Sequence, residues 1–145
     1  MIIIEPIAQE LMTEDALRTF PDECCGFFFG HEFENIRTIS DILIVTNAKQ
    51  GDKRKRFEIS PKDYLYAEQF AEERKLQLLG VYHSHPDHPA VPSEQDRLAA
   101  QPYFSYIIIS VSGNKIKDIR SWRLNDDLQF KEEKIKYESL INQKK

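Results

Sequence analysis

Between Gln77 and Asp96 the chain changes character in a way that no single helix or strand can accommodate. Gln77-Leu78-Leu79-Gly80-Val81-Tyr82 is short and mostly apolar and reads as a buried strand. It runs straight into His83-Ser84-His85. Side chains at i and i+2 leave a strand on one face, so His83 and His85 present two imidazoles together while Ser84 points away. Three prolines, Pro86, Pro89 and Pro92, then prevent the strand from continuing and a helix from starting. Ser93 fits a helix N-cap, and Asp96 falls at the third helical position, where a helix N-terminus favours negative charge. The chain is thereby committed to a buried strand ending in two imidazoles and a short helix that returns a carboxylate to them.

Two imidazoles and a carboxylate make a three-ligand set for zinc and leave a fourth position for water, as in catalytic rather than structural sites. The fragments taken singly have ordinary readings. Ser-x-x-Asp is also a capping box, and His-x-His at a strand end is also a polar edge. The fixed offsets of all the pieces together point to a metal and to metal-assisted hydrolysis.

His-Ser-His, seven residues, Ser93, two residues, Asp96 resembles the JAMM motif of the MPN-domain metalloproteases without a gap. Pro21-Asp22-Glu23-Cys24-Cys25-Gly26 resembles the family's upstream glutamate segment. Arg56-Phe57-Glu58-Ile59-Ser60-Pro61, Gly80 to Pro86, Tyr103 to Val111 and Ser121-Trp122-Arg123-Leu124 look like its short, stand-alone bacterial branch. The resemblance spans residues 1–132 and implies one MPN (JAMM) domain there, with residues 133–145 as a charged C-terminal tail. It implies an α/β fold with a mixed, curved sheet flanked by helices, similar to the cytidine deaminase-like architecture. It implies one Zn2+ held by His83, His85 and Asp96, with Glu23 as the acid–base residue acting on a water and Ser93 donating to the oxyanion. The implied reaction is hydrolysis of the peptide or isopeptide bond after the C-terminal Gly-Gly of a ubiquitin-like or sulfur-carrier protein. Two other readings stay open: a non-catalytic MPN scaffold and a zinc amidase acting on small molecules. The absence of His-x-Glu and Cys-x-x-Cys argues against a nucleobase deaminase.

At 145 residues the chain is one domain. A net charge of −4 argues against general nucleic-acid binding. No apolar run approaches the ~20 residues of a membrane span, and residues 1–6 lack the basic start and apolar core of a signal peptide. Cys24 and Cys25 are adjacent. Neighbouring Cα atoms lie about 3.8 Å apart, too close for an ordinary disulfide. Two free thiols and no leader predict a cytoplasmic protein.

The remaining pattern predicts strand, helix, strand, strand, strand, helix, strand, helix, strand, strand. A first strand covers residues 1–4 and a helix follows to Thr19, with Ala8, Leu11, Met12 and Ala16 on one face. Strands are expected over residues 23–30, 36–47 and 56–59, with a polar loop over 48–55. Ser60-Pro61-Lys62-Asp63 opens a helix. Residues 103–111 and 115–124 form a hairpin about Ser112-Gly113-Asn114, and residues 128–131 follow a further turn. The tail from Glu132 is read as charged, its end as frayed helix or disorder. His88 reads as a solvated loop residue or a group at the rim of the site, His31 as surface, and Lys53-Arg54-Lys55-Arg56 as a solvated loop or a dock for an acidic partner or substrate tail.

Overall fold

In the computed structural model, which describes residues 1–138, three segments are too apolar to lie at a surface, and they form the middle of the sheet. They are β2 (Cys25–Phe33), β4 (Gln77–Pro86) and β5 (Ser105–Ser112). Around them lie β1 (Ile2–Ile4), β3 (Ile36–Val45), β6 (Lys115–Leu124), β7 (Phe130–Glu133) and β8 (Ile135–Tyr137). The strand order is β7-β6-β5-β4-β2-β3-β1-β8, with parallel pairs β4–β5, β1–β3 and β1–β8 and the rest antiparallel. The sheet is therefore mixed, as expected. Its helices are α1 (Pro6–Thr19), α2 (Pro61–Arg74) and α3 (Glu94–Ala99).

Curvature follows from connectivity. β7 and β8 stand at opposite ends of the strand order, yet only Lys134 separates Glu133 from Ile135. One residue spans at most about 3.6 Å, whereas a flat sheet of this many strands would be ~34 Å wide at about 4.8 Å per strand. The sheet must curl until its edges meet. The Ile2 amide donates to the Lys134 carbonyl at 2.9 Å across that seam. α1 touches β3, β4, β5 and β6, so it occupies the concave side. There Ala8, Met12 and Ala16 pack with Ile2, Phe28, Ile39, Ile107 and Ile109. α2 covers the other face, where Ala67 and Ala71 pack with Phe27, Phe29, Val81 and Tyr106. The Tyr82 hydroxyl crosses to α1 and donates to the buried Asp15 carboxylate at 2.8 Å.

A β-bulge in β4 decides which face the imidazoles take. Phe28 pairs with Gly80 but Phe29 pairs with Leu78, leaving Leu79 as the extra residue. Leu78 packs on the α2 side and Leu79 on the α1 side. The bulge resets the alternation, so that Val81 and, two and four residues on, His83 and His85 face the α2 side.

Two expectations need correction. Residues 56–59 form no strand. The Asn47 side chain takes backbone groups that a ladder would use, donating to the Arg56 carbonyl and accepting from the Glu58 amide, and the Ala48 amide donates to the Glu58 carbonyl at 2.8 Å. The chain also keeps contributing to the sheet beyond residue 132, since Glu133 ends β7 and Ile135–Tyr137 forms β8 beside β1. The frayed or disordered tail end expected from the sequence lies at residues 139–145, outside the described residues. β2 runs to Phe33 and turns through Glu34 and Asn35, both at left-handed φ (51° and 67°), a turn that Asn35 alone hinted at. Among the described residues no helix is long and apolar enough to cross a membrane.

Gly80 lies where β4 passes closest to β5. A Cβ there would collide with the Ser105 carbonyl oxygen and the Phe28 ring. Gly80→Ala is expected to destabilise the protein by about 1–3 kcal/mol, read as a lower denaturant midpoint with an unchanged slope.

Candidate metal centre

β4 delivers both imidazoles to one point. His83 Nε2 and His85 Nε2 lie 3.3 Å apart. Asp96 Oδ2 approaches His85 Nε2 at 3.1 Å and His83 Nε2 at 3.3 Å. Ligand atoms around a tetrahedral zinc with bonds of about 2.0–2.2 Å stand about 3.3–3.5 Å apart. The three atoms thus have the mutual spacing of ligands to one small divalent cation. His85 Nδ1 lies 2.8 Å from the Pro89 carbonyl, an acceptor only, so in the neutral ring Nδ1 carries the proton and Nε2 is the nitrogen left for a metal. His83 is fully buried, and its ring stacks on Phe57 with centroids 4.4 Å apart.

α3 returns the carboxylate as the sequence predicts. Ser93 Oγ accepts from the Asp96 amide at 3.0 Å, and the Ser93 amide donates to Asp96 Oδ2 at 2.9 Å, closing a capping box. The cap is what fixes the Asp96 oxygen beside the imidazoles. Ser93 uses a lone pair for the cap and keeps its own proton free to donate.

Glu23 comes from the segment just before β2. Its carboxylate and the two imidazoles offer ligand atoms within 4.8 Å of one another. Glu23 is buried, and its Oε1 has no hydrogen-bond partner among the described residues. Three tethers hold its backbone in place. The Cys24 amide donates to Ser84 Oγ at 2.8 Å, so the residue between the histidines pins the chain next to Glu23. The Glu23 amide donates to the Lys53 carbonyl at 2.7 Å. The Glu23 carbonyl accepts from Asn47 Nδ2 at 3.1 Å.

Asn47 is the residue that sequence reasoning missed. Its buried amide also donates to the Arg56 carbonyl at 3.1 Å and accepts from the Lys49 and Glu58 amides at 3.0 Å each. One side chain thereby folds residues 48–58 against Glu23. A polar residue closing an apolar strand was its only sequence signal.

Burial dominates the electrostatics. It pushes the Glu23 carboxyl up from its ordinary 4.5 to about 8, with His85 lowering it and Asp96 raising it. Burial likewise lowers the His83 pKa against the pull of Asp96. At His85 burial also works downward, but the hydrogen bonds to Asp96 and the Pro89 carbonyl outweigh it and leave the pKa raised. Burial opposes the charge of Asp96, yet His83, His85 and the Ser93 amide hold its pKa well below the usual carboxylate range.

The centre opens into a cleft of about 660 Å³ lined by Glu23, His85, Ser93, Lys55, His88 and the apolar Pro89 and Val91. All five predicted site residues are therefore at one place. His88 and Lys55 line the cleft as well. His31 lies exposed on β2, apart from the cleft, and Asp22 lines a separate cavity behind Glu23. Cys24 and Cys25 are buried free thiols whose pKa values burial pushes up, which makes them inert.

Residues 5–125 match the family model of prokaryotic homologs of the JAB domain. The chain is 27% identical over 114 residues to a desampylase of Pyrococcus furiosus, covering 78% of this chain and 74% of that protein. It is 27% identical over 127 residues to a CysO-cysteine peptidase of Mycobacterium bovis, covering 87% of this chain and 84% of that one. The solution structure of a Desulfitobacterium hafniense protein superposes with a TM-score of 0.85 at 30% identity, covering 96% of this chain and 94% of that one.

In metal-free protein Glu23 is a source of pH-dependent instability. Because its folded pKa is raised, its contribution is complete below about 4.5 and is lost as pH climbs to about 8. Glu23→Gln is expected to flatten the fall in melting temperature between those pH values, measured in chelator. Asn47→Ala strands several buried polar groups and is expected to cost about 2–4 kcal/mol, read by denaturant unfolding.

Proposed function

The chain belongs to the family of prokaryotic homologs of the JAB domain, and from that premise we propose that it is a zinc-dependent peptidase or isopeptidase. The observation that carries this reading is the convergence of His83, His85 and Asp96 to 3.1–3.3 Å beside the buried Glu23 carboxyl. Two imidazoles and a carboxylate suit zinc, and His83, His85 and Asp96 would hold the ion. Bound there, zinc supplies Lewis acidity, acidifying a water from a pKa of about 15.7 toward about 7 and polarising a carbonyl.

The chain's own residues do the rest. Glu23, with its pKa raised to about 8, is matched to receiving and returning a proton near neutral pH. It takes a proton from the attacking water and hands it to the leaving nitrogen. Ser93 donates its free hydroxyl proton to the carbonyl oxygen as negative charge develops there. Val91 and Pro89 supply apolar walls to the cleft.

The relatives named desampylase and CysO-cysteine peptidase support a ubiquitin-like or sulfur-carrier protein as substrate. On that likeness the bond cut lies after a C-terminal Gly-Gly. Two adjacent free thiols fit a reducing, cytoplasmic setting.

The test is cleavage of a sulfur-carrier protein extended by one amino acid after Gly-Gly. The wild type is expected to cut it, chelation to stop it and zinc to restore it. Glu23→Ala should lower kcat by about 10²–10⁴-fold while zinc content, measured by elemental analysis, stays at one ion. Bound zinc without any cleavage would turn the reading toward a scaffold or a small-molecule amidase.

A further inference from the structure

The cleft beside the metal centre carries two polar side chains that the proposed chemistry does not use, Lys55 and His88. Lys55 forms no ion pair among the described residues. It is also not on a free loop. The carbonyls two residues before it and one after it, at Lys53 and Arg56, are held by the Glu23 amide and by Asn47. The tethers that place Glu23 therefore place Lys55 on the same cleft.

His88 is mounted with similar care. Asp87 takes a left-handed φ of 59° that turns the chain after β4. Its amide donates to the Val111 carbonyl at 2.8 Å, and its Oδ1 accepts from Ser112 Oγ at 2.7 Å. The His88 carbonyl accepts from Ser110 Oγ. The turn is thus fastened to β5 on both sides of His88, and its ring borders the cleft that Glu23 lines.

We infer that Lys55 and His88 form a carboxylate-binding subsite for the leaving group, which makes this chain a peptidase for a C-terminal residue with a free α-carboxylate rather than an isopeptidase. The inference rests on the proposed hydrolysis. In that reaction the water oxygen bonds to the carbonyl carbon and the C–N bond breaks. The nitrogen takes the proton that Glu23 received from the water, so the leaving nitrogen ends beside Glu23. In a C-terminal amino acid the carboxyl carbon is two bonds from that nitrogen, within the cleft that Lys55 and His88 border. In an isopeptide the leaving nitrogen belongs to a lysine side chain, whose own carboxyl is far along the chain and tied up as an amide. A cation and an imidazole beside the leaving nitrogen have a partner only in the first case.

The experiment uses a ubiquitin-like sulfur carrier ending in Gly-Gly-Ala, prepared as the free acid and as the carboxamide. Wild type is expected to cut the acid with about tenfold higher kcat/KM, the difference lying in KM. Lys55→Gln and His88→Gln should each pull the acid-to-amide ratio toward one. With Glu23→Ala, which cannot turn over, the acid should still bind more tightly than the amide by fluorescence anisotropy. Equal cutting of acid and amide by wild type overturns the subsite and leaves the hydrolase reading standing. If wild type cuts neither, the hydrolase reading on this bond falls, and the subsite falls with it.

Discussion

Cys25 lies opposite His83 in the β2–β4 ladder, and the rest of the site depends on that register. It brings the end of one buried strand, with its imidazoles, beside the beginning of another, with its carboxyl. Ser84 Oγ locks the same register from the opposite face through the Cys24 amide. A slip of one residue would send His83 and His85 into the α1-side core and Ser84 toward the cleft. The bulge at Leu79 sets the alternation from which this register is counted.

That arrangement explains why the site is both buried and charged. β4 pairs with β2 on one side and β5 on the other, so its last eight residues are buried. The imidazoles and both carboxyls are mostly withdrawn from water, so they have to satisfy one another. Asp96 does so fully, through two imidazoles and the Ser93 amide. Glu23 does not, and burial drives it toward its neutral form. One acid is held ionised among cationic or polar neighbours and the other is held ready to take up a proton. Two carboxyls in one site with pKa values pushed apart are the arrangement that divides metal binding from proton transfer.

Much of this was legible in the chain itself. The strand carrying His83 and His85 and the Ser93–Asp96 cap follow from local rules and stand as read, while the strand runs one residue into the prolines, to Pro86, before it ends. Those rules act over a few residues, so the sequence contains all they need. The readings that failed involved partners distant in the chain. Residues 56–59 have the composition of a strand, but the Asn47 side chain takes their Arg56 carbonyl and Glu58 amide in place of a ladder. Ile135–Tyr137 looks like charged tail, yet it closes the seam with β1 from the far end of the chain. Asn47 appears as an unremarkable strand end, and its four hydrogen bonds exist only once residues 49–58 have folded back over Glu23.

The sequence by itself determined the chemistry available: which residues can hold a small cation, which strand carries them, and which helix start returns the third. Spacing along a strand or a helix turn is fixed by backbone geometry, so motif positions translate directly into faces. Only the tertiary structure decided what surrounds those residues. The pKa of Glu23 follows from burial by segments far from it in the chain, and the tethers of its backbone come from Asn47, Lys53 and Ser84. The placing of Lys55 and His88 on one cleft likewise joins two loops that have no local relation. Desolvation and long-range pairing depend on the whole packed chain, and no window of sequence contains them.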